Sequence, residues 1–319
     1  MKKRKPEVRF VYKKSKLELG STIMRAHQIC RIAKAYLGDK YDFGITNLPR
    51  RKTPSLQPIW VKMQNSGVIY IFTKSASLKI NKSSLLELQK KSGGICFDYV
   101  DSNLRDIATV GVDVHIAASY SAETAMNQLL KEKVEQGLPS FGKVMLLLHN
   151  ADDRLYDLSI TRRDSLKSVY FGTEGYAVFT DKIRDIVDFI DAGRAQEMER
   201  NYLKLQDYNL HYCVRRVPEN TNARIHKPFT KGFTAAVCSS NVIVNSSVDD
   251  AIEFLTEDYP YLVHSTDEEE ILAVLKKAIS TFEKHDWNKA KRIMDTVAER
   301  ISPAALAIQL DAILTELAH

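Results

Sequence analysis

Lysine and threonine recur at helical spacing in one short stretch. Lys227, Thr230, Lys231 and Thr234 stand at i, i+3, i+4 and i+7 within the run from His226 to Cys238. Pro228 suits the first turn of a helix, where its missing N–H has no partner to lose. A helix is therefore predicted over residues 229–238, with those four side chains sharing one face at its start. Two ammonium groups, two hydroxyls and the unpaired N–H groups of a helix start would cradle a phosphate. Phe233, Ala236 and Val237 fall on the opposite face, ready to pack on a sheet. The same spacing equally describes a surface helix with a solvated basic edge. Just upstream, Arg215 and Arg216 could each neutralise a phosphate, the planar guanidinium suiting bidentate contact; one of them could instead be an ion-pair partner.

Groups able to move a proton lie mostly in the first half. Asp98 and Asp101 close a predicted strand, and either could deprotonate a hydroxyl; Asp101-Ser102 also reads as the cap of a following helix. His27 falls one turn into the first predicted helix, as a base, a substrate contact or a plain surface histidine. His149 ends the last strand of the first half, inside His149-Asn150-Ala151-Asp152-Asp153-Arg154. It could orient a substrate at the junction or simply cap a hinge. No His, Cys, Asp or Glu grouping has metal-ligand spacing, and Asp152-Asp153 alone is a weak pair, so no metal is expected. There is no G-x-x-x-x-G-K-[ST], G-x-G-x-x-G or G-x-S-x-G. That argues against nucleotide hydrolysis, dinucleotide redox chemistry and an elbow-type serine hydrolase.

The elements that must position these groups alternate. Strands are predicted at Val8–Tyr12, Val68–Phe72, Ile95–Val100, Val112–Ala117 and Lys143–His149. Helices lie between them: one from Gly20-Ser21-Thr22 to about Leu37 with Ser21 or Thr22 as N-cap, one over Ser84–Lys91, and one from about Ala122 to Glu135. Residues 150–167 are polar and read as the boundary between domains. The pattern then restarts with a strand Ser168–Phe171 ending in Gly172-Thr173. A helix follows, carrying Ile183, Ile186, Val187 and Ile190 at i, i+3, i+4, i+7. After it come strands Tyr208–Val214 and Val242–Val244, a short helix Asp249–Leu255, a helix opened by Ser265-Thr266-Asp267-Glu268, and a last helix begun by Ser302-Pro303. Such alternation predicts an α/β fold: two Rossmann-like domains, at 1–150 and 151–319, with a helical C-terminus.

The 319 residues are 44% hydrophobic and 27% charged, an ordinary globular balance. No apolar run nears bilayer length, and Lys13, Lys14 and Lys16 interrupt any signal-like core after the basic start, so a cytoplasmic protein is expected. The four cysteines, Cys30, Cys96, Cys213 and Cys238, are too dispersed for a zinc site or disulfide framework. Residues 1–52 carry 15 Lys/Arg against 4 Asp/Glu, while the rest of the chain is mildly acidic. A basic end of this kind suits an anionic partner or a solvated terminus. No base-reading module accompanies it, so specific nucleic-acid recognition is not expected.

Lys227-Pro228-x-x-Lys231-x-x-Thr234-Ala235-Ala236, then Val242-Ile243, Glu253-Phe254-Leu255 and Asp258-Tyr259-Pro260-Tyr261, together resemble the donor-binding half of GT-B glycosyltransferases. The resemblance implies that residues 151–319 hold the donor and residues 1–150 the acceptor. Gly172-Thr173 lies where the family places a loop close to the donor. Gly20-Ser21-Thr22, with Arg25 behind it, matches the glycine-bearing first loop of the acceptor half. Donor contacts are thus implied at Gly172, Thr173, Arg215, Arg216, Lys227, Thr230, Lys231 and Thr234. Acceptor contacts are implied at Gly20, Ser21, Thr22 and Arg25, with the base among Asp101, Asp98, His27 and His149. The implied reaction moves a sugar from a UDP-, GDP- or CMP-linked donor to a hydroxyl of a saccharide or lipid-linked acceptor in surface polysaccharide synthesis. It needs no cofactor, since the nucleotide-sugar is a substrate, and the basic end would attract an anionic membrane face.

One departure stands out. Many retaining members carry two glutamates separated by seven residues, the second on the donor ribose. Aligned through Val242-Ile243, those places fall near His226 and Thr234. A CMP-linked acidic sugar would suit a basic site lacking that glutamate. A non-catalytic or nucleic-acid-binding α/β protein, and a sugar-nucleotide epimerase of the same build, remain alternatives.

Overall fold

The computed structural model describes residues 4–16, 20–49, 56–74, 76–104, 107–108, 110–138, 142–161, 163–216 and 225–317. It comprises two compact units. The first takes Met1–His149, Ala223–Pro228 and Pro303–His319; the second takes Asn150–Asn222 and Phe229–Ser302.

In the first unit, β1 (Glu7–Tyr12), β2 (Asp42–Asn47), β3 (Ile69–Thr73), β4 (Gly94–Asp98), β5 (Val114–Ala117) and β6 (Lys143–Leu146) form one sheet in the order β2-β1-β3-β4-β5-β6. Every neighbouring pair is parallel. All residues of β3, β4 and β5 are buried. This is why those strands read as continuous apolar runs instead of alternating ones. Tyr70, Phe72 and Phe97 build an aromatic core with Leu88 and Met126 from the covering helices. Those helices have conventional starts: the Asn81 side chain accepts from Ser84 N–H, and Ser119 accepts from Ala122 N–H.

The helix after β1 is not uniform. Gly20–Thr22 is α-helical, Ile23–Gln28 is wound as a π-helix, and Ile29–Leu37 returns to α. The expected N-cap role for Ser21 or Thr22 does not hold. Both already lie within the helix, and Thr22 has helical angles with no side-chain cap bond.

In the second unit, β7 (Ser168–Gly172), β8 (Val187–Asp191), β9 (Leu210–Tyr212), β10 (Asn241–Asn245) and β11 (Leu262–Val263) form a parallel sheet in the order β11-β10-β9-β7-β8. The helix expected over Ile183 to Ile190 is instead a single turn, Asp181–Arg184, followed by β8. The apolar spacing is met in another way. Ile183 buries from the helical turn, and Val187 and Ile190 bury from an edge strand that pairs with β7 along five residues.

The two sheets share a winding. From β1 the chain steps to β2 on one side and then to β3 on the other; from β7 it steps to β8 and then across to β9. Each sheet therefore has a switch point, between β1 and β3 and between β7 and β9, where connections leave in opposite directions and open a crevice at the C-terminal strand ends.

The chain passes from the first unit to the second between His149 and Asn150 and returns to the first at Pro303. The final helix, Pro303–Glu316, packs on the Ile29–Leu37 helix of the first unit. Gln309 accepts from Leu148 N–H at 2.8 Å, Lys40 reaches Asp311 at 2.6 Å, and Lys143 reaches Glu316 at 2.9 Å. Its buried Leu306, Leu310 and Leu314 supply the apolar face that holds it there. Helices Glu268–Ser280 and His285–Arg300 stay with the second unit. Among the described residues no helix is long and apolar enough to cross a membrane.

Candidate active site

At the β7/β9 switch point of the second unit, three sequence candidates converge. The helix Thr230–Val237 begins beside the end of β7, and its second residue, Lys231, donates from Nζ to the Phe171 carbonyl at 2.7 Å. The ammonium lies 4.0 Å from the centre of the Tyr170 ring, a cation–π position. Among the described residues no carboxylate pairs with it. Burial pulls the Lys231 amine down to about 8 from its ordinary 10.5, and nearby Arg215 pushes the same way.

Gly172 closes this corner. A methyl group on it would collide with the Lys231 ammonium, so only glycine lets the lysine reach the strand end. The Thr173 carbonyl accepts from the Tyr170 hydroxyl at 2.7 Å, which fixes the loop. Arg215 continues the same edge from β9, its N–H donating to Asn245 Oδ1 at 2.8 Å. Arg216 is exposed, with its N–H on the Tyr176 carbonyl. Beyond β10, Ser246, Ser247, Ile252, Glu257 and His264 line a cavity of about 470 Å³, a size usual for small-molecule sites.

The shared face predicted for Lys227, Thr230, Lys231 and Thr234 does not form. Phe229 is the N-cap, so Lys227 and Pro228 precede the helix, and their segment belongs with the first unit. The Phe229 ring lies against Gly232, where no side chain could fit. Thr234 is buried and its hydroxyl donates back to the Thr230 carbonyl at 3.0 Å, inside the helix. Of the four, Thr230 and Lys231 stand at the helix start by the strand end. Behind Lys231, His211 is buried in β9, its imidazole held neutral by burial and by the neighbouring ammonium, which pull its pKa down to about 3.

At the β1/β3 switch point of the first unit, the register sets Thr73 against Asp98, and Thr73 Oγ1 donates to the Val11 carbonyl at 3.0 Å. Immediately beyond these strand ends, Lys74 donates to Ser21 Oγ at 2.8 Å and to Asp101 Oδ2 at 3.1 Å. Lys74 and Asp101 both have left-handed backbones, φ +39° and +49°. Aspartate tolerates that region, whereas lysine rarely enters it, and such residues cluster at functional sites.

Behind this cluster lies a fully buried pair. Arg25 Nε donates to Asp98 Oδ2 at 2.7 Å, and its other nitrogens donate to the carbonyls of Leu148 at 2.7 Å and Leu147 at 2.9 Å. Asp98 also accepts from Val100 N–H at 3.1 Å. Arg25 and Asp98 are each only 1% exposed. They are corrected from substrate contact and base to a structural tie between β4 and the segment after β6. Thr22 and His149 are likewise buried, 2% and 3% exposed. His27 is stacked edge-on against Tyr12 with ring centres 4.9 Å apart. Its Nε2 is buried, and burial and Arg31 lower its basicity. Gly20 has open space where a side chain would be, so nothing there requires glycine. Asp101 and Ser21 thus remain at the accessible edge, where Lys74 joins them.

Sequence reasoning missed Lys74. Its signal was its place, one residue past a strand end, but that carries weight only once the strand order identifies β3 as a switch-point strand. All four cysteines are buried and unpaired in disulfides. Among the described residues no three His, Cys, Asp or Glu side chains converge.

No protein-family model matches the chain, and no curated protein matches it in sequence. Solved structures do match. A glycosyltransferase from Rickettsia africae superposes with a TM-score of 0.64 at 9% identity, covering 99% of each chain. HepE of Anabaena, in complex with UDP and glucose, gives 0.60 at 11% identity over 97% of this chain and 99% of its own. An α,α-trehalose-phosphate synthase (UDP-forming) from Burkholderia vietnamiensis gives 0.61 at 8% identity, with 97% and 99% covered. Over essentially its whole length, the chain has the two-domain α/β fold of the GT-B glycosyltransferases.

Proposed function

We propose that the protein is a glycosyltransferase that moves a sugar from a nucleotide-activated donor to a hydroxyl group. The observation that carries the proposal is Lys231: a half-buried ammonium at a switch point, aimed at a strand end by Gly172 and lacking a carboxylate partner among the described residues. A cation kept in that state attracts an anion, and the group a donor leaves behind is a nucleotide phosphate. Lys231 and Arg215 would neutralise the charge that builds on that phosphate as the glycosidic bond breaks. The nucleoside would occupy the neighbouring cavity at Ser246 and His264. Asp101, on the accessible edge of the first unit, would accept the proton of the acceptor hydroxyl. HepE and the trehalose-phosphate synthase support the reading by fold and by the UDP named with each. The basic residues 1–52 suit a lipid-linked or membrane-held acceptor of surface polysaccharide synthesis.

A thermal-shift panel of CMP, UDP, GDP, TDP and ADP at physiological salt tests this. A bound nucleotide at 100 times its Kd should stabilise the fold by about 2.7 kcal/mol. One clear hit, lost in Lys231→Ala, identifies the donor class. A flat panel with binding only to DNA or anionic vesicles would overturn the proposal. Conversion of a free sugar nucleotide with no acceptor present would replace transfer by epimerisation.

A further inference from the structure

We infer that the Ser21–Lys74–Asp101 cluster is a subsite for adjacent hydroxyl groups of a neutral saccharide, and that it discriminates against phosphorylated sugars. The inference rests on the transferase reading and adds the chemical class of the acceptor. Its first ground is charge. The Lys74 ammonium is matched by Asp101 at 3.1 Å, and behind it the pair of Arg25 with Asp98 at 2.7 Å is closed and buried. An anion arriving here would meet Asp101 as soon as it met Lys74. A pair of hydroxyls meets complementary groups instead: the carboxylate accepts one O–H, and the ammonium donates to the neighbouring oxygen.

The second ground is shape and access. The Lys74 side chain is 20% exposed and that of Asp101 is 31% exposed, so both are reachable yet partly shielded from water. Ser21 supplies a third polar group, at 2.8 Å from the ammonium. Partly buried Tyr12 ends β1, the strand beside β3, in edge-on contact with His27. The third ground is strain. Two non-glycine residues held at φ +39° and +49° face each other across one ion pair. Aspartate adopts this region readily, so the strain falls on Lys74, which its bonds to Asp101 and Ser21 hold in place.

The test uses the full chain with UDP present. Saturation-transfer NMR would follow methyl glucoside, methyl mannoside, methyl galactoside and glucose 6-phosphate. Wild type should transfer saturation to at least one neutral glycoside and not to the 6-phosphate. Lys74→Met and Asp101→Asn should each weaken that glycoside about tenfold, the worth of one charge-assisted hydrogen bond. Asp101→Asn, which leaves Lys74 unmatched, should in addition begin to bind glucose 6-phosphate. UDP stabilisation measured on the same variants should stay at its wild-type value, which shows that they are folded and separates this inference from the donor-site reading. Ser21→Ala provides a milder variant if Lys74→Met does not fold, with a smaller loss in the same direction. Wild-type binding to glucose 6-phosphate alone, guided by Lys13 and Lys14 after β1, would overturn the inference. So would neutral binding that all variants retain, or no engagement of any sugar.

Discussion

The two switch points have the same winding and opposite electrostatics. At β1/β3 two cations are answered by carboxylates: Arg25 by Asp98, Lys74 by Asp101. At β7/β9 the Lys231 ammonium rests on a carbonyl and an aromatic ring, with Arg215 beside it. One fold position thus serves two chemistries. A compensated edge holds its shape without a ligand and offers hydrogen bonds of both signs. The Lys231 ammonium, with no carboxylate partner among the described residues, carries positive charge that an anionic ligand would relieve. The difference comes from two aspartates, Asp98 at the last residue of β4 and Asp101 shortly beyond it, where the corresponding strand β10 ends in Asn245 and runs on into Ser246, Ser247 and Val248.

The most damaging way to disturb the compensated edge is Arg25→Ala. It strands a buried Asp98 carboxylate and should destabilise the protein by about 3–5 kcal/mol. A urea midpoint close to wild type would show that the pair is not structural. At the other edge, Lys231→Met should behave in the reverse sense. Nucleotide affinity should fall roughly ten- to hundredfold, the loss of a charge-assisted contact, while the unfolding midpoint holds or rises because a buried cation has gone. Calorimetric titration with the nucleotide found by the panel, paired with urea unfolding, reads both quantities. If both fall together, Lys231 is part of the scaffold.

Acid sensitivity offers a smaller separation. Burial holds His115 near 4 and His211 near 3, against an ordinary 6.5. Below pH 6.5 the unfolded chain binds protons that these histidines refuse in the fold. Stability should therefore fall as pH drops from 6.5 toward 4, by up to about 1.4 kcal/mol per pH unit for each. A flat stability curve in His211→Phe and His115→Phe together, beside a sloping wild type, would confirm the source. The smallest effect expected is on nucleotide binding near pH 8. Lys231 loses its proton as pH rises through about 8 in the free protein, so affinity should be level below pH 7 and weaken above 8. Binding at pH 8 should take up protons, seen as a buffer-dependent heat, and that dependence should vanish in Lys231→Met.

Much of the fold was legible because its interior strands are two-sided. Ile69–Thr73 and Gly94–Asp98 are buried at every residue, and such runs announce themselves without periodicity. Edge elements carry no such mark. β2 includes Gly44 and alternates imperfectly, β8 hides within a helix-like spacing, and β11 is two residues long. Without β2 and β8 the strand order has no reversal, so the switch points, and with them the importance of Lys74, could not be read. Within the site, residue type succeeded where a neighbour in space supplied the reason. Lys231 and Gly172 were both named from sequence, but only the structure shows that one needs the other. Thr234 and Asp98 had the right chemistry and the wrong surroundings: a backbone carbonyl claims the first and a guanidinium the second.

The position of the last helix has a consequence for how the chain acquires its shape. Residues 303–316 close the first unit by bonds to Lys40, Lys143 and Leu148, yet they leave the ribosome after the whole of the second unit. The first half of the sequence is made first and completed last. During synthesis the Ile29–Leu37 helix must wait with its packing surface uncovered, and any truncation ahead of residue 303 leaves it so permanently. The first unit is therefore begun before the second is made and cannot be completed until after it, which leaves apolar surface uncovered in the meantime.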